Sequence, residues 1–123
     1  MSGNKFILDT NIVVYILAGD EVLAELLDGQ ELYLSVISEM ELLSYKKITK
    51  SEREKIKAFL KDFIIIEIIE QVKAKAIDIK RNTNLKLPDS IIAATSSYLK
   101  IPLLTADKQF KTIQDFNLLS YEQ

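Results

Sequence analysis

At 123 residues and 48% hydrophobic, the chain is long enough to bury one core and too short for two, so one domain is expected over residues 1–123. It has no cysteine and no histidine, which excludes a disulfide frame, a zinc–thiolate site, a thiol nucleophile and an imidazole base; catalysis would have to run on carboxylates, hydroxyls, amines or a bound ion. A net charge of −2 argues weakly against a dedicated nucleic-acid binder, but the average hides an uneven spread: residues 46–86 carry twelve bases against six acids, and residues 1–45 one base against eight acids.

The first apolar run, Phe6 to Leu8, reads as a strand ending at Asp9. Helical spacing follows over Thr10 to Leu17 and again over Val22 to Asp28, which Gly29 can close by going left-handed. The run Ile12 to Ala18 falls far short of the ~20 apolar residues that span a bilayer, so no membrane anchor and a cytoplasmic location are expected. Leu32 to Ser35 is the second strand. Two helices follow, Ser38 to Lys46 and Ser51 to Lys61, each opening on a Ser-x-x-Glu capping pattern, Ser38 with Glu41 and Ser51 with Glu54. Phe63 to Ile66 reads as a central strand buried on both faces. Helices are then expected at Ile68 to Asn82 and at Pro88 to Leu99, where Pro88 suits the first helical position because its missing N–H is no loss there. A fourth strand at Leu103 to Leu104, a helix at Lys108 to Ile113 and a fifth strand at Leu118 to Leu119 complete the chain.

Short apolar runs alternating with helices describe an α/β domain around a mainly parallel five-stranded sheet. No Gly-rich loop occurs, which removes P-loop and dinucleotide-binding readings. Tyr15, Tyr33 and Tyr98 are scattered and read as core or interface residues, not as a base-stacking platform.

The acids carry the chemistry. Asp9 follows the first strand and Asp107 the fourth, so both should emerge at the carboxyl ends of parallel strands, the edge where open α/β sheets bind ligands. Asp89 falls in the first turn of its helix, and so does Glu41 in the helix after strand two. Taken singly, each acid has a structural reading as a cap or a partner of a helix dipole. Taken together, four carboxylates at one edge repel one another and need a hard cation, for which Mg²⁺ or Mn²⁺ is suited. Such an ion activates water toward a phosphodiester, in keeping with a chain that lacks histidine. The basic stretches Lys46 to Lys61 and Lys73 to Lys86 read most simply as solvated helix faces, although lysines of this kind also hold a nucleic-acid backbone.

Four segments resemble the motifs of the PIN-domain ribonucleases. They are Phe6-Ile7-Leu8-Asp9-Thr10-Asn11, Ser35-Val36-Ile37-Ser38-Glu39-Met40-Glu41-Leu42-Leu43, Leu87-Pro88-Asp89-Ser90-Ile91-Ile92-Ala93-Ala94 and Leu103-Leu104-Thr105-Ala106-Asp107-Lys108-Gln109-Phe110, and together they span most of the chain. The resemblance implies a three-layer α/β/α PIN-like fold and metal-dependent cleavage of RNA. With no appended domain, the chain is most similar to the toxin halves of bacterial VapBC-type toxin-antitoxin pairs, which implies a small antitoxin partner and a homodimer. By this resemblance Asp9, Glu41, Asp89 and Asp107 are the catalytic, metal-holding acids, and Asn11 and Thr105 support them from behind. Lys46 to Lys61 then becomes an RNA-facing or partner-facing surface. Glu39 points to another helix face than Glu41, and the family pattern favours Glu41 because Leu42 follows it. Asp115 has no motif around it and is left aside.

A receiver domain or a haloacid-dehalogenase-type phosphatase would need a second acid close to Asp9, where Asn11 stands. The nearer rival is a catalytically silent PIN module that serves only as a binding partner.

Overall fold

A computed structural model describes residues 3–113 and 116–122; Asp115 therefore lies outside the described residues. Among the described residues five strands, β1 (Lys5–Leu8), β2 (Glu31–Ser35), β3 (Ile64–Ile66), β4 (Leu103–Thr105) and β5 (Leu118–Ser120), form one sheet in the order β3-β2-β1-β4-β5, every pair parallel. Among the same residues six α-helices connect and cover them: α1 (Thr10–Leu17), α2 (Glu21–Leu27), α3 (Val36–Leu43), α4 (Lys50–Leu60), α5 (Glu70–Asn82) and α6 (Leu87–Leu99), with a 3₁₀ helix at Lys108–Thr112. None of these helices is long and apolar enough to cross a membrane.

Alternation along the strands creates two cores. Leu8, Leu34 and Leu104 face one side of the sheet, where they pack with Ile12 and Val13 of α1, Leu23 and Leu27 of α2, and Ile56 and Leu60 of α4. Their neighbours Ile7, Tyr33 and Leu103 face the other side, against Ile92 and Ala93 of α6 and Phe110 of the 3₁₀ helix. Helix α5 lies outside α6, with Val72 and Ala76 packed on Ala94. The result is the expected three-layer α/β/α architecture, and the sheet is wholly parallel.

Several local expectations are corrected. The run Phe63 to Ile66 does not form a central strand: β3 pairs with β2 alone at the sheet edge, Ile64 is 41% exposed, and only Phe63, just before the strand, is buried in the core. Continuous apolar character is compatible with burial of both faces but fixes neither the burial nor the hydrogen-bonding neighbours of the strand. Neither expected capping pair opens its helix. Ser35 ends β2 and caps α3 in the same stroke, its Oγ accepting from Ile37 N at 3.2 Å, so the helix starts before Ser38 and Glu41 falls in its second turn. In α4 an overlapping pattern operates two residues upstream. Thr49 Oγ1 accepts from Glu52 N and Glu52 Oε1 accepts from Thr49 N, both at 3.0 Å, while the Tyr45 hydroxyl holds the other Glu52 oxygen at 2.8 Å. Pro88 occupies the second position of α6, not the first. Gly29 follows α2 with φ +77°, as its role in closing that helix requires.

Candidate active site at the carboxyl edge of the sheet

Strand order reverses between β1 and β4, which lie side by side although most of the chain separates them. A crevice at the carboxyl ends of the strands is the geometric consequence of such a reversal, because the connections from the two strands leave in opposite directions. Asp9 and Asp107 come just after those two strands. Both are anchored through one buried hydroxyl: Thr105 Oγ1 donates to Asp9 Oδ2 at 2.6 Å and accepts from Asp107 N at 3.0 Å. Thr105 is fully buried, so this bridge is shielded from competing water.

Asp9 also behaves as a cap, its Oδ1 accepting from Thr10 N at 2.8 Å, and Asp107 Oδ1 accepts from Gln109 N at 2.9 Å. The structural and the functional readings of these two acids therefore coexist. Capping occupies one oxygen of each and fixes where the carboxylate stands. Glu41 comes from α3 and is tied to the same place by the Thr10 hydroxyl, which donates to its Oε1 at 2.8 Å and is hydrogen-bonded to the buried Ser38 hydroxyl at the same distance. Asp89 projects from the first turn of α6.

Asp9, Glu41, Asp89 and Asp107 line a single pocket of about 310 Å³, together with Asn11 and Lys86. Glu39 is not in its wall. Asn11 lines the pocket without hydrogen-bonding any of the acids, whereas Thr105 sits beneath it and does. A larger cleft of about 560 Å³ lies beside α5 and the 3₁₀ helix; among its described lining residues one carboxylate, that of Asp78, occurs. Thr10, Ser38 and Lys86 carry no sequence signal of their own for this site. By spacing, Ser38 reads as a cap, Thr10 as one letter of a motif and Lys86 as part of a solvated face.

The acids sense one another. Burial pushes the Asp9 carboxyl above its ordinary range, Asp107 and Glu41 add to the rise, and the hydrogen bonds from Thr105 and Thr10 oppose it. Asp89 is pushed up to about 6, first by burial and then by the charges of Asp9, Asp107 and Glu41, with Lys86 pulling the other way. A set of mutually repelling carboxylates suits a hard divalent cation, which relieves the repulsion. Among the described residues no group of three acids already forms a metal cage. Mg²⁺ does not require one, because it keeps several waters and binds through one or two carboxylates. The donor set therefore fits such an ion.

Comparison with known proteins agrees with this geometry. The sequence matches the PIN domain family over residues 6–115. The chain belongs to the PIN domain family. No curated protein sequence matches it. Among solved structures, this PIN domain is similar to a chain of a toxin-antitoxin complex from Klebsiella pneumoniae, at 26% identity and a TM-score of 0.82, covering 95% of this chain and 98% of the other. It is also similar to a chain of VapBC2 from Rickettsia felis bound to a promoter DNA fragment, at 21% identity and TM-score 0.85, covering 96% and 99%. DNA-bound VapBC from Salmonella typhimurium gives 17% identity and TM-score 0.81, covering 95% and 98%. The PIN resemblance read from four sequence motifs is thus matched over nearly the whole chain.

Proposed function

We propose that this PIN domain, a single unit over residues 1–123, is a divalent-metal-dependent endoribonuclease. We further propose that it is the toxin half of a toxin-antitoxin pair, acting in the cytoplasm as a homodimer and silenced by a small antitoxin. The observation that carries the catalytic reading is the meeting of Asp9, Glu41, Asp89 and Asp107, from four separate parts of the chain, in one pocket at the strand-order reversal. Capping accounts for Asp9 and Asp107, but not for Glu41 in the second turn of α3, and not for all four lining the same space.

Asp9, Glu41, Asp89 and Asp107 would hold Mg²⁺ or Mn²⁺, with Asn11 and Thr105 in support. Such an ion supplies the Lewis-acid charge that phosphodiester hydrolysis needs. The chain's own contribution is to fix the carboxylates. Thr105 holds one oxygen of Asp9, Thr10 holds one of Glu41, and the backbone at Gln109 holds one of Asp107. The toxin role is supported by the similar solved chains, which come from toxin-antitoxin complexes.

The test is cleavage of single-stranded and structured RNA by the purified protein with Mn²⁺ or Mg²⁺. EDTA should stop it, and Asp9→Asn should reduce it by roughly a hundredfold or more, the scale of losing one pre-organised electrostatic group. Intact RNA under all conditions would leave a catalytically silent PIN module as the reading.

A further inference from the structure

The acidic pocket has one basic side chain in its wall, and that side chain stands where helix chemistry disfavours it. Lys86 is the N-cap of α6; its backbone is extended, and its carbonyl accepts from Ser90 N at 2.9 Å and from Ser90 Oγ at 3.1 Å. N-caps favour Ser, Thr, Asp or Asn, whose oxygens satisfy free N–H groups of the first turn, and a cation there opposes the positive end of the helix dipole. Lys86 makes no side-chain cap bond.

Nor is its ammonium paired. Among the described residues the only ion pair is Lys73 with Glu70, although Lys86 shares a pocket with four carboxylates. Its charge is felt by Asp89, whose rise it opposes, yet no carboxylate holds the ammonium at ion-pair distance, and departures from local rules concentrate at functional sites. The buried serine clamp fixes the Lys86 backbone at the pocket rim, while its exposed side chain keeps the freedom to reach inward.

A phosphodiester entering this pocket brings negative charge into a site that is already negative. The acids can offer it nothing directly, because carboxylates only accept. A lysine supplies a point charge and three donors on a flexible stem, suited to an anionic phosphate oxygen. Resting on the nuclease reading above, we propose that Lys86 binds a non-bridging oxygen of the RNA phosphate that enters the acidic pocket. The competing account is that Lys86 merely tempers the charge of Asp89, and the two separate experimentally.

Single-stranded RNA binding is measured against salt in the cleavage-silenced Asp9→Asn background, with Lys86 retained, with Lys86→Met and with Lys86→Arg. One lost phosphate contact lowers the steepness of log K against log salt by about 0.7. It should also weaken binding roughly tenfold, and Lys86→Arg should restore both. In the otherwise native protein, Lys86→Met should lower kcat/KM roughly ten- to hundredfold while Mn²⁺ affinity stays equal or tightens, because a nearby positive charge has been removed. An unchanged salt slope and RNA affinity in Lys86→Met would overturn the proposal. So would a loss of turnover that tracks weaker Mn²⁺ binding, since Lys86 would then act through the acids. A native protein that never cleaves RNA, yet shows the shifted salt slope, would refute the nuclease reading and leave the phosphate contact standing.

Discussion

Asp89 and Thr105 have opposite effects on the resting protein. The Asp89 carboxyl titrates at about 6 in the fold, above its ordinary 3.8, so the folded state holds its proton more tightly than the unfolded chain does. The sign follows directly: the charged form penalises the fold, the penalty is complete above pH 6, and it disappears as pH falls from about 6 to 3.8. Asp89→Asn should therefore stabilise the metal-free protein at pH 7.5, by about 1 kcal/mol once solvent screening at this half-buried site is allowed for. Thermal melts in EDTA across pH should show the variant's advantage vanish near pH 4. A variant less stable than the native protein at pH 7.5 would mean that Asp89 makes a favourable native interaction instead. Thr105→Val keeps the shape and removes the buried donor to Asp9, which should cost roughly 1–3 kcal/mol by denaturant unfolding. At this scale the four acids were legible because each belongs to a short motif with a definite spacing. Lys86 was not, because its meaning comes from what faces it across the pocket, and no spacing rule reports that.

The elements were legible wherever periodicity alone decides, and less so where two local signals compete. Two Ser/Thr-x-x-Glu patterns overlap at the start of α4, Thr49 with Glu52 and Ser51 with Glu54, and the upstream pair makes both reciprocal bonds with help from Tyr45. Thr49→Ala should accordingly lower stability by about 1 kcal/mol, while Ser51→Ala should leave it nearly unchanged. Equal losses in chemical denaturation would show that the cap is shared. Helix α3 teaches a related lesson. Val36 and Ile37 look like a continuation of β2, yet Ser35 turns the chain into the helix at once, and this early start determines which face Glu41 occupies.

For the whole molecule, a parallel sheet follows from apolar runs separated by helical spacing, and the two-sided burial of the strands appears as adjacent apolar pairs such as Ile7 with Leu8 and Leu103 with Leu104. Strand order was another matter: the three isoleucines of β3 look as central as any strand but lie at the edge, and the pairing of β1 with β4 depends on contacts between segments far apart in the chain. That pairing creates the site, since it brings Asp9 to Asp107 across Thr105 and lets α3 and α6 add Glu41 and Asp89. Whether these acids share a divalent cation is read most directly by calorimetric titration of Mn²⁺ into the native protein and into the Asp9→Asn/Asp107→Asn double variant. Saturable binding to the native protein that is lost in the variant is the predicted result; equal, weak binding to both would mean that Asp9 and Asp107 serve only as helix caps and that the four acids share no ion.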